Sequence, residues 1–344
     1  MIQPSVPSAR SEDLRKAATT RLRRGALAFL GCIAAIGLAA APAGAYLMER
    51  ATVLTKTASN SSGKKGKSSH CPSGRVAIGG GVSMNPFRTK LAVQVAGPSF
   101  QTGDFLTRAA ETDPINNNWR LYSRAHCFLQ TNNNSNAVLV ADGARAIKDV
   151  RLVKKKTALQ GQTDVATKSA GCGAGYRAIG GGAVVNDTPP EGNFDTNLVL
   201  QRSSRSGNTR GWTARARPVD TLQAGGAWRL HVTAICANVF TESGTANYAH
   251  PIAVASRTDT NLKGQRETSV GCPFGHPLII GGGAAILGSS GNKKPHSNLA
   301  LKGSEPRLTV GGPSWYAWAV KTDPVEATYR LRVWAVCAAN ALGP

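Results

Sequence analysis

Three copies of one sequence module make up most of the chain, and this repetition restricts the fold more than any other feature. A motif with one cysteine and three consecutive glycines begins at Cys71, Cys172 and Cys272 (CPSGRVAIGGG, CGAGYRAIGGG and CPFGHPLIIGGG). The starts lie 101 and 100 residues apart, and the third copy has one extra residue before its glycines. A fixed period of this kind indicates duplicated structural units.

Each copy also ends on a similar segment, which alternates as a β-strand does. The segments are WRLYSRAHC, WRLHVTAIC and YRLRVWAVC, and they begin at Trp119, Trp228 and Tyr329. The aromatic residue, the leucine, the alanine and the cysteine share one face, and an arginine starts the other face. This period of two predicts a half-buried strand whose cysteine points into the core.

A third element repeats between these two. An aromatic residue stands eight positions before an aspartate in the pairs Phe105 and Asp113, Trp212 and Asp220, and Trp315 and Asp323. Two of the three aspartates precede proline, which favours a turn at the end of a strand over a role as a general acid.

The elements together predict an all-β protein with three tandem, small, disulfide-closed β-sandwich or β-barrel modules after an N-terminal signal segment. We place the repeats at residues 50–130, 148–240 and 250–340, with five or six short strands in each. Modules of this size are marginally stable without a covalent link.

Residues 1–45 resemble a signal peptide. Arg21, Arg23 and Arg24 precede an apolar run over residues 25–41, and small residues precede a cleavage point before Tyr46. We expect a secreted or cell-surface protein, with an uncleaved N-terminal anchor as the alternative. Cys32 lies in a poor lipobox, and no membrane span is expected after cleavage.

Six cysteines lie outside this leader, two in each repeat. In general six cysteines allow 15 pairings. Exported chains form disulfides by default, and a self-contained repeat selects its own pair. The predicted disulfides are Cys71–Cys127, Cys172–Cys236 and Cys272–Cys337. A zinc site formed by His70, His126 and their neighbouring cysteines is disfavoured, because adjacent residues on a strand point to opposite faces.

The glycine triplets do not match a phosphate-binding loop, because no Lys-Ser/Thr pair and no helix follow them. Glycine within a strand marks a bulge or a close approach by another group. Our hypothesis is that the buried indole ring of each repeat lies against the glycines. No set of catalytic residues appears and no histidine recurs in all three copies, so we expect a non-enzymatic protein without a metal or cofactor.

The formal net charge is +22, and removal of the leader, which holds six basic and two acidic residues, leaves +18. This excess favours an anionic partner, such as a cell-wall polymer or glycan; a solvated basic surface is the alternative. The candidate anion-contact residues are Arg120, Arg229, Arg330, Lys64, Lys65, Lys67, Lys154, Lys155, Lys156, Lys263 and Arg266. Tyr316, Trp318 and Trp334 are predicted on outer faces, where aromatic rings bind sugars or cover an interface between modules.

The CPxGxxxIGGG start and the WxLxVxAxCA end resemble repeats of secreted actinobacterial proteins. The resemblance covers nearly the whole chain after the leader, and it implies no substrate, catalytic residue or binding residue. The leading hypothesis is a surface protein that binds an anionic polymer or glycan, without specific nucleic-acid recognition. The alternatives are a structural wall or matrix protein without a specific ligand, and a secreted hydrolase or inhibitor. The sequence leaves the oligomeric state open.

Overall fold

A computed structural model describes most of the three repeats. The described residues are 51–85, 90–99, 103–112, 117–129, 137–139, 147–187, 197–207, 210–219, 226–238, 252–262, 264–289, 295, 298–309, 312–322 and 328–338. The predicted signal segment, the three repeated aspartates and Lys263 lie outside these residues. Tyr46–Pro344 form one compact unit.

Nineteen β-strands occupy the described residues. Those from the first copy, with one short strand after it, are β1 Ala51–Lys56, β2 Lys64–Ser69, β3 Arg75–Asn85, β4 Leu91–Pro98, β5 Phe105–Glu111, β6 Arg120–Leu129 and β7 Ala137–Leu139. Those from the second are β8 Ile147–Lys156, β9 Ala166–Gly171, β10 Tyr176–Asp187, β11 Leu198–Arg205, β12 Gly211–Pro218 and β13 Trp228–Asn238. Those from the third are β14 Ile252–Leu262, β15 Arg266–Gly271, β16 Leu278–Gly288, β17 Leu299–Thr309, β18 Gly312–Lys321 and β19 Tyr329–Ala338.

Each repeat is a sandwich of two three-stranded antiparallel layers, which confirms the predicted all-β class. In the first repeat the layers are β1-β6-β3 and β2-β5-β4. The second and third repeats use the same strand order. The interior between the layers contains the predicted aromatic face, since Trp119, Trp228 and Tyr329 are fully buried. The alternation seen in the sequence therefore marks the core side of the last strand in every copy.

The predicted disulfides are confirmed, and each one joins the two layers of its own sandwich. Cys71, Cys172 and Cys272 each follow the second strand of their repeat, and their partners Cys127, Cys236 and Cys337 lie in the last strand. In every repeat the bridge therefore joins the end of the second strand to the last strand.

The layers of neighbouring repeats merge into shared sheets. The first sheet has the order β1-β6-β3-β17-β18-β15, the second β2-β5-β4-β10-β13-β8-β7, and the third β14-β19-β16-β11-β12-β9. The first repeat therefore pairs with the third, the second with the first, and the third with the second. The three sandwiches form a closed ring, an arrangement that the sequence did not predict. Pairing satisfies two strand edges that a separate sandwich would expose.

The middle glycine of each triplet lies beneath the repeated aromatic ring, which is the hypothesised indole in the second and third repeats and a phenyl ring in the first. A Cβ atom added at Gly181 would lie 2.5 Å from Cδ2 of Trp212, which belongs to the opposite layer of the same repeat. The same relation joins Gly80 to Phe105 and Gly282 to Trp315. Only a residue without a side chain allows the ring to approach the strand so closely.

The outer two glycines of each triplet provide room for the neighbouring repeat. A Cβ atom at Gly182 would collide with Cα of Gly97 in β4, at the join between the first and second repeats. The first glycines meet isoleucine carbonyls of another repeat, in the pairs Gly79 and Ile280, Gly180 and Ile78, and Gly281 and Ile179. The glycine triplet is thus needed both inside each sandwich and between sandwiches.

Matching β-bulges place polar side chains where the repeats meet. The register of β4 shifts around Gln94 and that of β11 shifts around Gln201, and both side chains are buried. Nε2 of Gln94 donates to the Leu198 carbonyl at 3.0 Å, and Nε2 of Gln201 donates to the Leu299 carbonyl at 2.9 Å. Each hydrogen bond runs from one repeat to the next and gives a buried amide nitrogen an acceptor.

Candidate anion-binding faces

The three repeated strand arginines lie on different sheets. Arg120, Arg229 and Arg330 occupy the outer faces of the first, second and third sheets, because the residues on either side of each one are buried. Nε of Arg330 donates to the Gly288 carbonyl at 2.9 Å, whereas Nε of Arg120 and of Arg229 is buried without a hydrogen-bond partner. Any binding role for them must therefore be considered sheet by sheet.

Lys65 supports the fold. Its side chain is buried, and its ammonium donates to the carbonyls of Ala58, Asn60 and Trp119 at 3.1, 2.9 and 2.6 Å. Burial lowers the pKa of Lys65, against the opposing effect of the Glu111 carboxylate. Because these carbonyls already satisfy the ammonium, we leave Lys65 out of the proposed binding set.

Basic and titratable side chains are concentrated on the outer face of the second sheet, which we call the lysine face. Among them are Lys64, Arg108, Lys154, Lys156, Arg229 and His231. An open groove of about 460 Å³ runs along β2 and β5 and is lined by Lys64, Lys67 and Arg108, among others. Lys155 is exposed on the other side of β8. Three of the predicted contact residues, Lys64, Lys154 and Lys156, therefore share a face with Arg229.

The outer face of the third sheet carries a row of three arginines at one register. Arg332 pairs with Ala285, Ala285 with Arg202, and Arg202 with Arg215, on four neighbouring strands. We call Arg332, Arg202 and Arg215 the arginine row. Arg330 and Arg217 lie two residues from it on the same face.

The guanidinium groups of Arg202 and Arg215 are partly dehydrated, and each is repelled by a neighbouring arginine. Burial lowers the pKa of Arg202, and the positive charge of Arg332 lowers it further. Burial and then the charge of Arg217 do the same to the pKa of Arg215, whose Nε is buried without a hydrogen-bond partner. Such an arrangement is stabilised when an anion binds to it.

Among the strand residues whose side chains the structure describes, no aspartate or glutamate occupies an outward position on the second or third sheet. The first sheet differs, because Glu305 lies between Arg124 and Arg307 at its centre. Nε of each arginine is 2.8 Å from a carboxylate oxygen, and the Ser83 hydroxyl donates to Glu305 at 2.8 Å. Glu305 is 1% exposed and belongs to the third repeat, whereas Ser83 and Arg124 belong to the first.

The predicted outer aromatic residues lie beside these charges. Tyr316 stacks on Trp318 with ring centroids 5.9 Å apart, and Trp318 donates from Nε1 to Glu267 at 2.7 Å. Trp318 is only 2% exposed, and its ring lies over Gly303, next to the join between the third and first repeats. It therefore covers the interface between modules. Trp334 is half-buried, with the Arg332 guanidinium 5.0 Å from its ring centroid.

Replacing Glu305 with alanine should weaken the join between the first and third repeats. The change leaves two arginines without their shared carboxylate, and we expect a loss of about 2 kcal/mol in the free energy of unfolding, since both arginines keep some contact with water. Denaturant titration measures this loss. The control is Asp259→Ala, whose partner Arg257 is 61% exposed, and we expect a change below about 1 kcal/mol. Equal effects for both variants would contradict the assignment.

No protein-family model matches the chain, and no curated protein matches it either.

Within the described residues, His, Cys, Asp and Glu side chains do not form a group of three that could bind a metal ion. The same part of the chain contains no helix long and apolar enough to cross a membrane. His70 contacts Asp104 at 2.7 Å, and the neighbouring cysteine is bonded to its disulfide partner.

Sequence reasoning missed all three members of the arginine row. Arg215 and Arg217 alternate with the buried residues of WTARARP, so the period of two would have placed them on an outer face. Arg332 follows Arg330 by two residues and carries the same signal. Arg202 does not, because the bulge at Gln201 shifts the alternation of β11. Of the other predicted residues, Arg266 lies exposed on β15, at the edge of the first sheet.

Proposed function

We propose that this protein is exported and binds an anionic polymer or glycan at the cell surface, without enzymatic activity. The observation that supports this most strongly is the pair of basic outer faces, whose described side chains include no carboxylate. Intrachain disulfides, which persist in oxidising surroundings, support an extracellular site of action.

Open, basic faces suit an extended ligand better than a small one. A polymer that contacts several cations at once displaces several counterions, so weak individual contacts add up to useful affinity. The lysine face and the arginine row lie on different sheets of one ring, and therefore one molecule can contact two polymer segments. Such double contact raises avidity when both segments are within reach.

An array of polyanions and neutral glycans tests the proposal. The protein, purified after export, should bind anionic polymers saturably in low salt and lose affinity as salt is added, because added salt screens exposed charges. Absence of binding to every polyanion in low salt would contradict the proposal. Association with cell walls that never saturates would instead favour a structural protein without a specific ligand.

A further inference from the structure

We propose that the arginine row is the principal binding site and that it takes a polymer bearing tetrahedral oxyanions, either phosphate or sulfate groups, laid across the strands of the third sheet. This inference rests on the proposed function and names its site and ligand chemistry. The lysine face is then a secondary contact.

The spacing of the arginine row suits a linear polymer that runs across the strands, perpendicular to them. Neighbouring strands lie about 4.8 Å apart, so Arg202 and Arg215 are close together, and Arg332 lies about 10 Å from Arg202 across β16. Ala285 occupies the position between Arg332 and Arg202, and its small side chain leaves the path clear. A linear polymer in this direction meets three guanidinium groups in succession.

The hydrogen bonds of Arg202 and Arg332 go to neutral oxygen atoms. Arg202 donates from Nε to the Ser204 hydroxyl at 3.0 Å and from a terminal nitrogen to the Arg205 carbonyl at 3.1 Å. Arg332 lies 3.4 Å from the Ser256 hydroxyl. By contrast, Arg124 and Arg307 on the first sheet both contact Glu305. An incoming anion at the row therefore displaces no carboxylate.

A hydroxyl-lined groove at one end of the row favours phosphate or sulfate over carboxylate. The groove has a volume of about 420 Å³ and lies between β9, β11 and β12, where Arg202, Arg210, Ser169, Ser206 and Thr213 line it. One guanidinium fork can occupy both oxygens of a carboxylate. A tetrahedral oxyanion has further oxygens. One of them can accept from the hydrogen-bonded pair Ser169 and Thr213, in which one hydroxyl proton is left free at 2.7 Å separation of the two oxygens.

The side-chain chemistry also separates the two faces. Arginine presents a planar fork of donors and is more weakly hydrated than lysine, whose ammonium is a compact, strongly hydrated charge. The row contains arginine alone; Arg202 and Arg215 are partly buried, whereas Arg332 is exposed. The three matching lysines of the lysine face, Lys64, Lys154 and Lys156, are exposed. We therefore expect most of the affinity to come from the row.

Two triple variants of the full exported protein test the inference. In the first, Arg202→Gln, Arg215→Gln and Arg332→Gln are combined; in the matched control, Lys64→Gln, Lys154→Gln and Lys156→Gln are combined. Both remove three positive charges. The probes are inorganic polyphosphate, dextran sulfate, polygalacturonate and neutral dextran, and thermal melting checks that each variant is folded.

We expect the arginine variant to bind polyphosphate or dextran sulfate at least tenfold more weakly than the unchanged protein, and the lysine variant less than threefold more weakly. The dependence of log K on log salt should also become shallower by about two for the arginine variant, since three ion contacts are lost. Of polyphosphate and dextran sulfate, the probe that binds the unchanged protein more tightly identifies phosphate or sulfate as the recognised group.

Equal losses in the two variants, with binding intact in the unchanged protein, would overturn this inference and leave the proposed function standing. Polygalacturonate binding as tight as that of both tetrahedral probes would also overturn it. Absence of binding to every charged probe by the unchanged protein would instead overturn the proposed function. If the arginine triple variant does not fold, the single change Arg215→Gln is used, with a threefold loss expected and no loss contradicting the assignment.

Discussion

Replacing Gly80 with valine should destabilise the protein by about 3 kcal/mol or more. A Cβ atom at this position would lie 2.5 Å from Cγ of Phe105 and closer still to the Arg124 carbonyl. Neither the buried ring nor the paired backbone of β6 can move away without disturbing the sandwich, because protein interiors are closely packed. Denaturant titration and thermal melting measure the loss.

The matched control is the same substitution at Gly207, where an added Cβ atom meets nothing within 4 Å. We expect Gly207→Val to change the free energy of unfolding by about 0.5 kcal/mol or less. An unchanged melting temperature for Gly80→Val would show that the aromatic ring does not pack on the glycine.

Removing one disulfide should have the second large effect. The double variant Cys172→Ala and Cys236→Ala opens a covalent loop with a sequence separation of 64 residues. In the chain-entropy model this costs about 4 kcal/mol, because the unfolded chain regains the freedom that the bridge restricts. That is comparable with the total stability of many domains.

Calorimetry and urea titration measure this loss, and changing both cysteines avoids a free thiol. Because the second repeat shares its sheets with the other two, we expect the whole ring to melt earlier in a single transition. Melting of one third of the structure, with the rest unchanged, would show that the repeats are energetically independent. An unchanged urea midpoint would contradict a stabilising role for the bridge.

Much of each sandwich could be predicted from sequence, since the signal is local. The alternation after Trp119, Trp228 and Tyr329 identifies a strand and its buried face, and the repeat selects the disulfide partners. The contact between Gly80 and Phe105 also follows from sequence, because the glycine triplet and the aromatic residue recur in the same order in every copy. These features depend on residues of one repeat, where pattern and spacing carry the information directly.

The second strand of each repeat was harder to find. The segments KKGKSS, ATKSAG and RETSVG in β2, β9 and β15 have few apolar residues. Each of these strands lies at the edge of its sheet, where one side has no partner strand and polar side chains are tolerated. Strand propensity measures fit to a half-buried surface, so such edges give a weak signal.

The ring itself was beyond sequence reasoning. It depends on pairing between strands of different repeats, such as Ala183 with Ala96, and three similar copies could equally pair within themselves or remain separate. The arginine row depends on the same pairing, because Arg332 and Arg202 come from different repeats. They lie side by side only because Ala285 of β16 pairs with Arg332 on one side and with Arg202 of β11 on the other.

Cleavage between the repeats tests the closed ring most directly. A protease site is inserted in residues 130–136 and another in residues 239–251, both outside the described strands. The disulfides cannot hold the cleaved repeats together, because each one lies within a single repeat. Native mass spectrometry should find the three fragments in one particle with the mass of the uncut protein. Three separate, folded fragments would contradict the shared sheets.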